Sequence, residues 1–169
     1  MGAREAPADA VGSVAAGAVR ATDLANACGR VLRGSPAQAL ARLHLAAAAG
    51  LLPEPELGRP RGDVQVAAGL AALGRLLAPV VSDVPALLVA APAGGEVLAG
   101  RPFAAGSALV ARAVFRAVMI DRGLDPTGVA APEVAWAATG PVPYARALAG
   151  YVDGTPDGVI GAGVHRAVP

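Results

Sequence analysis

Residues 101–112, Arg-Pro-Phe-Ala-Ala-Gly-Ser-Ala-Leu-Val-Ala-Arg, are the one stretch of this 169-residue chain whose residue types and spacing suggest a site. The first half reads as a glycine-containing loop, and the second half opens a strongly periodic apolar helix that ends near Arg122. Where a loop enters a helix, the first backbone N–H groups lack intrahelical acceptors and the helix dipole adds positive potential, so a phosphate can be cradled there. Arg101 and Arg112, together with the amides of Gly106, Ser107 and Ala108, would form such an anion-binding notch. A plainer reading fits the same residues: a tight interhelical turn in which Ser107 caps the helix, Phe103 staples it to the core and Arg112 enters an ion pair. The residues alone favour the turn. Arg116, one turn beyond Arg112, reads as part of a solvated face.

Few other side chains offer chemistry. His44 lies between Leu43 and Leu45 on an apolar helix, where a hydrogen-bonded packing histidine is expected, and with no second ligand nearby a metal role is rejected. His165 falls in a loose tail. Glu96, five residues before Arg101, either pairs with an arginine of the notch or faces water, and water is favoured. Cys28 is the only cysteine, which rules out an internal disulfide and a cysteine-rich zinc site and leaves a small buried hydrophobe. Trp136, Tyr144 and Tyr151 read as core anchors, the two tyrosines sharing a helical face at a spacing of seven.

The elements that must position these residues are helical. Apolar residues make up 54% of the chain while aromatics are only 3%, so the core must consist of closely approaching helices with few large anchors. Periodicity, punctuated by Gly and Pro, predicts helices near 7–19, 22–33, 36–50, 64–78, 84–99, 107–123 and 142–152, with a short turn of helix around 132–138. Ser35-Pro36 opens the third of these and Gly50 closes it. Residues 51–63, with three prolines and two glycines among charges, predict a surface loop or short hairpin. Residues 84–91 followed by Pro92 and a glycine pair could instead be a strand entering a nucleotide-binding turn. The G-x-G-x-x-G spacing is absent, however, and Ile and Thr are too scarce to furnish a sheet, so a helix weakened by Pro92, Gly94 and Gly95 is expected. A single domain is expected, since a chain of this length buries enough surface for one core.

Charge and hydropathy narrow the partners. A net charge of +1 with acidic and basic residues interspersed provides no field for nucleic acid. The longest uncharged stretches, about a dozen residues and containing Pro, fall short of the roughly 20 a spanning helix needs, and the N-terminus makes a poor signal peptide. A soluble, cytoplasmic chain without a membrane partner is expected. The apolar excess points to a protein partner or a second copy of the chain covering one helix face.

Residues 101–112 also resemble the Fic (Fido) motif, in which His-Pro-Phe, two further residues and Gly-Asn-Gly-Arg are followed by two residues and a second Arg. Pro102, Phe103, Gly106 and Arg112 match that pattern without gaps. Arg101 stands in place of the histidine, Ala105 of the metal-binding acid, Ser107 of the asparagine, Ala108 of the second glycine and Leu109 of the first arginine. Leu43-His44 resembles a pair in the family's early core helix, 51–63 its substrate-docking flap, and Tyr144-Ala145-Arg146-Ala147-Leu148 with Tyr151, Asp153 and Gly154 its closing helix. The chain looks most like divergent Fic-like proteins of actinobacteria. The resemblance implies an all-α fold, with a Fic-like helical bundle over 36–155, a helical N-terminal extension over 1–35 and a loose tail over 156–169.

In the family the histidine acts as general base on a target hydroxyl that attacks a nucleotide phosphate. Arginine stays protonated and cannot take that proton, a loss of about a hundred- to ten-thousand-fold in rate. With Ala105 in place of the acid, the magnesium ligand is absent too. The resemblance thus implies a degenerate Fic-like domain that binds an anion, a nucleotide such as ATP or another protein without transferring AMP. The alternative is an enzyme of altered chemistry acting on a phosphorylated substrate that needs no general base.

Overall fold

The computed structural model describes residues 8–78, 81 and 83–155. Seven α-helices form the described part: α1 (Ala8–Gly34), α2 (Pro36–Ala48), α3 (Val64–Leu76), α4 (Ala86–Gly100), α5 (Ser107–Asp121), α6 (Pro132–Thr139) and α7 (Pro141–Val152). No strand occurs among the described residues, so the all-α expectation stands. No helix among them is long and apolar enough to cross a membrane. The tail 156–169, including His165, lies outside the described residues.

The two helices expected over 7–19 and 22–33 are one continuous helix, α1. Nothing between Val19 and Thr22 breaks a helix, and the Arg20 guanidinium secures this midpoint by donating to the carbonyls of Ala46 (2.9 Å) and Ala49 (2.7 Å) at the end of α2. Those carbonyls belong to the set a helix end leaves without intrahelical donors. Along α1 the buried residues Ala21, Ala25, Cys28 and Leu32 recur at helical spacing and join the same core as Leu40, Leu43, Val110 and Val114. Residues 8–34 are therefore a wall of the bundle. Gly17 permits the approach, because a Cβ there would stand 2.1 Å from the Ala47 carbonyl oxygen.

Helix α5 runs through the middle, with ten of its fifteen residues buried. It packs against α1, α2 and α4. Helix α4 carries Pro92 in its interior, and its glycine pair has a packing reason. A Cβ on Gly94 would press to 3.2 Å from the Ala111 carbonyl oxygen of α5, and one on Gly95 to 2.9 Å from the Tyr151 ring of α7. Small residues here let three helices meet, which offsets the roughly 1 kcal/mol that glycine costs in a helix. Outside this core, α6 and α7 attach by aromatic anchors. Trp136 meets Phe115 edge-on at 5.3 Å, and the Tyr151 hydroxyl donates to Glu96 (2.6 Å) and approaches the Pro92 carbonyl (3.1 Å). Glu96 thus binds Tyr151 instead of facing water or an arginine of the notch. The Pro92 carbonyl that the same hydroxyl approaches lies in the proline-interrupted part of α4.

Arg116 is not on a solvated face. It is buried and donates to the carbonyls of Gly128 (2.7 Å) and Ala130 (2.9 Å), with Glu133 at 3.6 Å. The Asp125 carboxylate accepts from the amides of Val129 (3.1 Å) and Ala130 (3.0 Å). Together these two buried side chains shape the turn that leads from α5 to α6.

Candidate functional site

The loop 101–106 joins α4 to α5 and is bent at both ends by left-handed residues. Arg101 caps α4 with φ 42°, its amide donating to the Val97 carbonyl at 3.1 Å. Gly106 precedes α5 with φ 74°, a conformation that costs a residue with a Cβ about 1–2 kcal/mol and glycine nothing. Between them Pro102 and Phe103 turn inward and are buried. Phe103 lies flat on His44 of α2, ring centroids 3.8 Å apart and planes 2° from parallel. It staples the loop, as expected.

Ser107 is the first helical residue of α5, not its cap. Its hydroxyl turns back to Phe103, accepting from the Phe103 amide at 3.1 Å and lying 3.3 Å from the Phe103 carbonyl. That side chain closes the loop on itself and the residue is buried, so the hydroxyl is not offered to a ligand. The Ser107 and Ala108 amides have no intrahelical acceptor in an α-helix, whereas those of Leu109 (3.0 Å) and Val110 (3.1 Å) already donate to the Gly106 carbonyl.

His44 is fully buried, and both of its ring nitrogens are engaged. The Gly58 amide donates to Nδ1 at 2.8 Å, so Nδ1 is unprotonated; the proton sits on Nε2, which donates to the Ala105 carbonyl at 3.1 Å. Burial pushes the imidazole below its ordinary range, and the bond to Ala105 offsets this in part. The expected packing histidine is found, with an added role. It ties the 49–63 connection to the 101–106 loop. This connection is a loop with one isolated parallel bridge, Ala49 to Leu52, and a 3-10 turn at Glu54–Glu56. Asp63 ends it as the cap of α3, accepting from the Val66 amide at 2.8 Å. Arg61 adds two further ties to the segment around the loop, its amide donating to the Pro102 carbonyl (2.7 Å) and its guanidinium to that of Gly100 (3.1 Å).

Arg112 lies one and a half turns into α5, exposed, and enters no ion pair among the described residues. With Ala108 and Ala111 it lines a narrow cleft closed by Gly94, Trp136 and Tyr144. The open space is about 30 Å³, room for about one or two water molecules and far less than a nucleoside needs. The guanidinium favours the Tyr144 phenolate, but burial dominates and raises that hydroxyl above its ordinary range. Of the five residues expected in the notch, Ala108 and Arg112 share this cleft, while Arg101, Gly106 and Ser107 stay at the loop end of the helix. Among the described residues no group of three or more metal-binding side chains gathers.

Sequence reading missed Gly58, Arg61 and Arg116. For Arg116 a signal existed, since its position falls on the same helical stripe as buried Ala113 and Ala117. Gly58 and Arg61 lay in a segment without periodicity, and nothing local marked their partners. No family model matches the chain, and neither a curated protein nor a solved structure matches it.

Proposed function

We propose that the chain is a catalytically degenerate Fic-like domain that holds a phosphate-bearing ligand, or docks a protein, at the junction of the 101–106 loop with α5, without transferring AMP. The observation that carries this reading is the exposed Arg112, which enters no ion pair among the described residues and shares a cleft with Ala108 of the first turn of α5, behind a loop whose matching residues Pro102, Phe103 and Gly106 set its path. A guanidinium near the first turn of a helix suits an oxyanion. The narrowness of the cleft favours a ligand that offers its phosphate and leaves the rest of itself outside. In this reading the protein works in the cytoplasm.

His44 does not take over the work of the missing base. It could accept a proton at Nδ1 only by giving up the Gly58 amide, and Tyr144 is held protonated by its burial. These points favour binding over altered chemistry. The test is calorimetric titration of the protein with ATP, with and without magnesium, beside Arg112→Ala. Heat that disappears in the variant supports the reading. Heat retained unchanged in Arg112→Ala, or no heat with any nucleotide, removes the anion site and leaves protein docking to be examined by pull-down.

A further inference from the structure

We propose that His44 is a proton-operated latch: its neutral form, protonated on Nε2, holds the 49–63 connection against the 101–106 loop, and a second proton on Nδ1 releases the connection while the loop stays held. The asymmetry follows from the two bonds. Nε2 carries hydrogen in both states, so its donation to the Ala105 carbonyl survives protonation. Nδ1 receives the Gly58 amide, and a proton there would set N–H against N–H at 2.8 Å. The bond cannot persist. Phe103 stacked on the ring favours the cation where it lies, as an aromatic face attracts a positive charge. The imidazolium therefore keeps its place on the loop and loses its hold on Gly58.

No other charge intervenes among the described residues. The groups packed against the ring, Phe103, Ala105 and Gly106 from the loop, Gly58 from the connection and Ala48 from its own helix, are all uncharged. The charged residues of these elements are exposed: Arg42 on α2, Arg101 on the loop, and Glu54, Glu56, Arg59, Arg61 and Asp63 on the connection. Arg61 holds its end of the connection through the Pro102 and Gly100 carbonyls, and neither bond depends on His44. Release is thus confined to the part around Gly58. In the latched state that glycine seats on α2, where a Cβ would lie 3.3 Å from the Ala41 carbonyl oxygen and from the Leu45 side chain.

Site-resolved amide hydrogen exchange between pH 8 and 5, corrected for the intrinsic pH dependence of exchange, tests this. Protection of the Gly58 amide should fall toward the acid end of this range by up to about tenfold per pH unit, the limit for opening linked to one proton, while that of Val114 in α5 holds. Protection at Gly58 that tracks Val114 throughout would overturn the proposal. On the unmodified protein, ring nitrogen NMR shifts should report the Nε2-protonated neutral tautomer at neutral pH; the other tautomer, or a charged ring, would overturn it as well. His44→Phe keeps the flat stack, and should show low Gly58 protection that no longer varies with pH. Persistence of the pH dependence in that variant would assign it to another group.

Discussion

Arg101→Gly separates the folding role of the 101–106 loop from any binding role. Arg101 is the one residue other than glycine with positive φ among the described residues, at 42°, and it caps α4 where glycine is the favoured residue. The strain is about 1–2 kcal/mol, and removing Cβ relieves it. Against this, the greater freedom of glycine in the unfolded chain costs about 0.4–1 kcal/mol. The side chain is exposed and makes no hydrogen bond or ion pair among the described residues, so no contact is lost. The balance is a stabilisation of roughly 0.5–1 kcal/mol, seen as a higher urea midpoint at unchanged slope and a melting temperature up by about 1–4 °C. In the ATP titration the same variant should bind more weakly if the guanidinium faces the ligand. A fall in stability of more than about 1 kcal/mol would refute the reasoning, because it would mean that the side chain contributes contacts that outweigh the strain.

Two glycines on α1 should respond oppositely to alanine. Gly12 has open space around it, so Gly12→Ala should stabilise by about 0.5–1 kcal/mol, whereas Gly17→Ala drives a Cβ to 2.1 Å from the Ala47 carbonyl oxygen and should destabilise by about 1–2 kcal/mol net of that gain; equal midpoints in urea would contradict the packing. Arg116→Ala should cost roughly 3 kcal/mol by thermal denaturation, since it leaves the Gly128 and Ala130 carbonyls without their donor; a cost under about 1 kcal/mol would place Arg116 at the surface after all. Tyr151→Phe should cost about 1.5–3 kcal/mol through loss of the bond to Glu96. Burial, together with the Glu96 bond and charge, raises the Tyr151 hydroxyl above its ordinary value of about 10. Its contribution is therefore full below pH 10 and declines as pH rises beyond it, because the unfolded chain then loses the proton first; in the phenylalanine variant this alkaline decline should be reduced.

Much of the architecture was legible in the sequence because helix formation is local. The 3.6-residue period, Pro36 at a first helical position and Gly50 at an end placed α2, and the same reasoning placed α3 to α7 to within a few residues. Phe103 as a staple and His44 as a packing residue were legible too, each being a large side chain at an apolar position. The break expected near Val19 was wrong because periodicity blurs along an alanine-rich helix, and what holds that point straight, the Arg20 bonds to α2, lies 26 and 29 residues away in sequence.

Side-chain direction was beyond the sequence's reach. Whether Gly94 and Gly95 weaken a helix or admit neighbours depends on α5 and α7 being there. Ser107 could have capped α5 or turned inward, and the inward bend between Arg101 and Gly106 decided it. Arg112 and Arg116 sit one turn apart on one helix, yet one is exposed and the other is closed over by a loop twelve to fourteen residues on. Composition, periodicity and punctuation determined the helices, since those depend on residue identity and near neighbours. Only the tertiary structure decided which arginine stays exposed, which glycine is a contact and that His44 joins two loops, because each of these turns on groups distant in sequence.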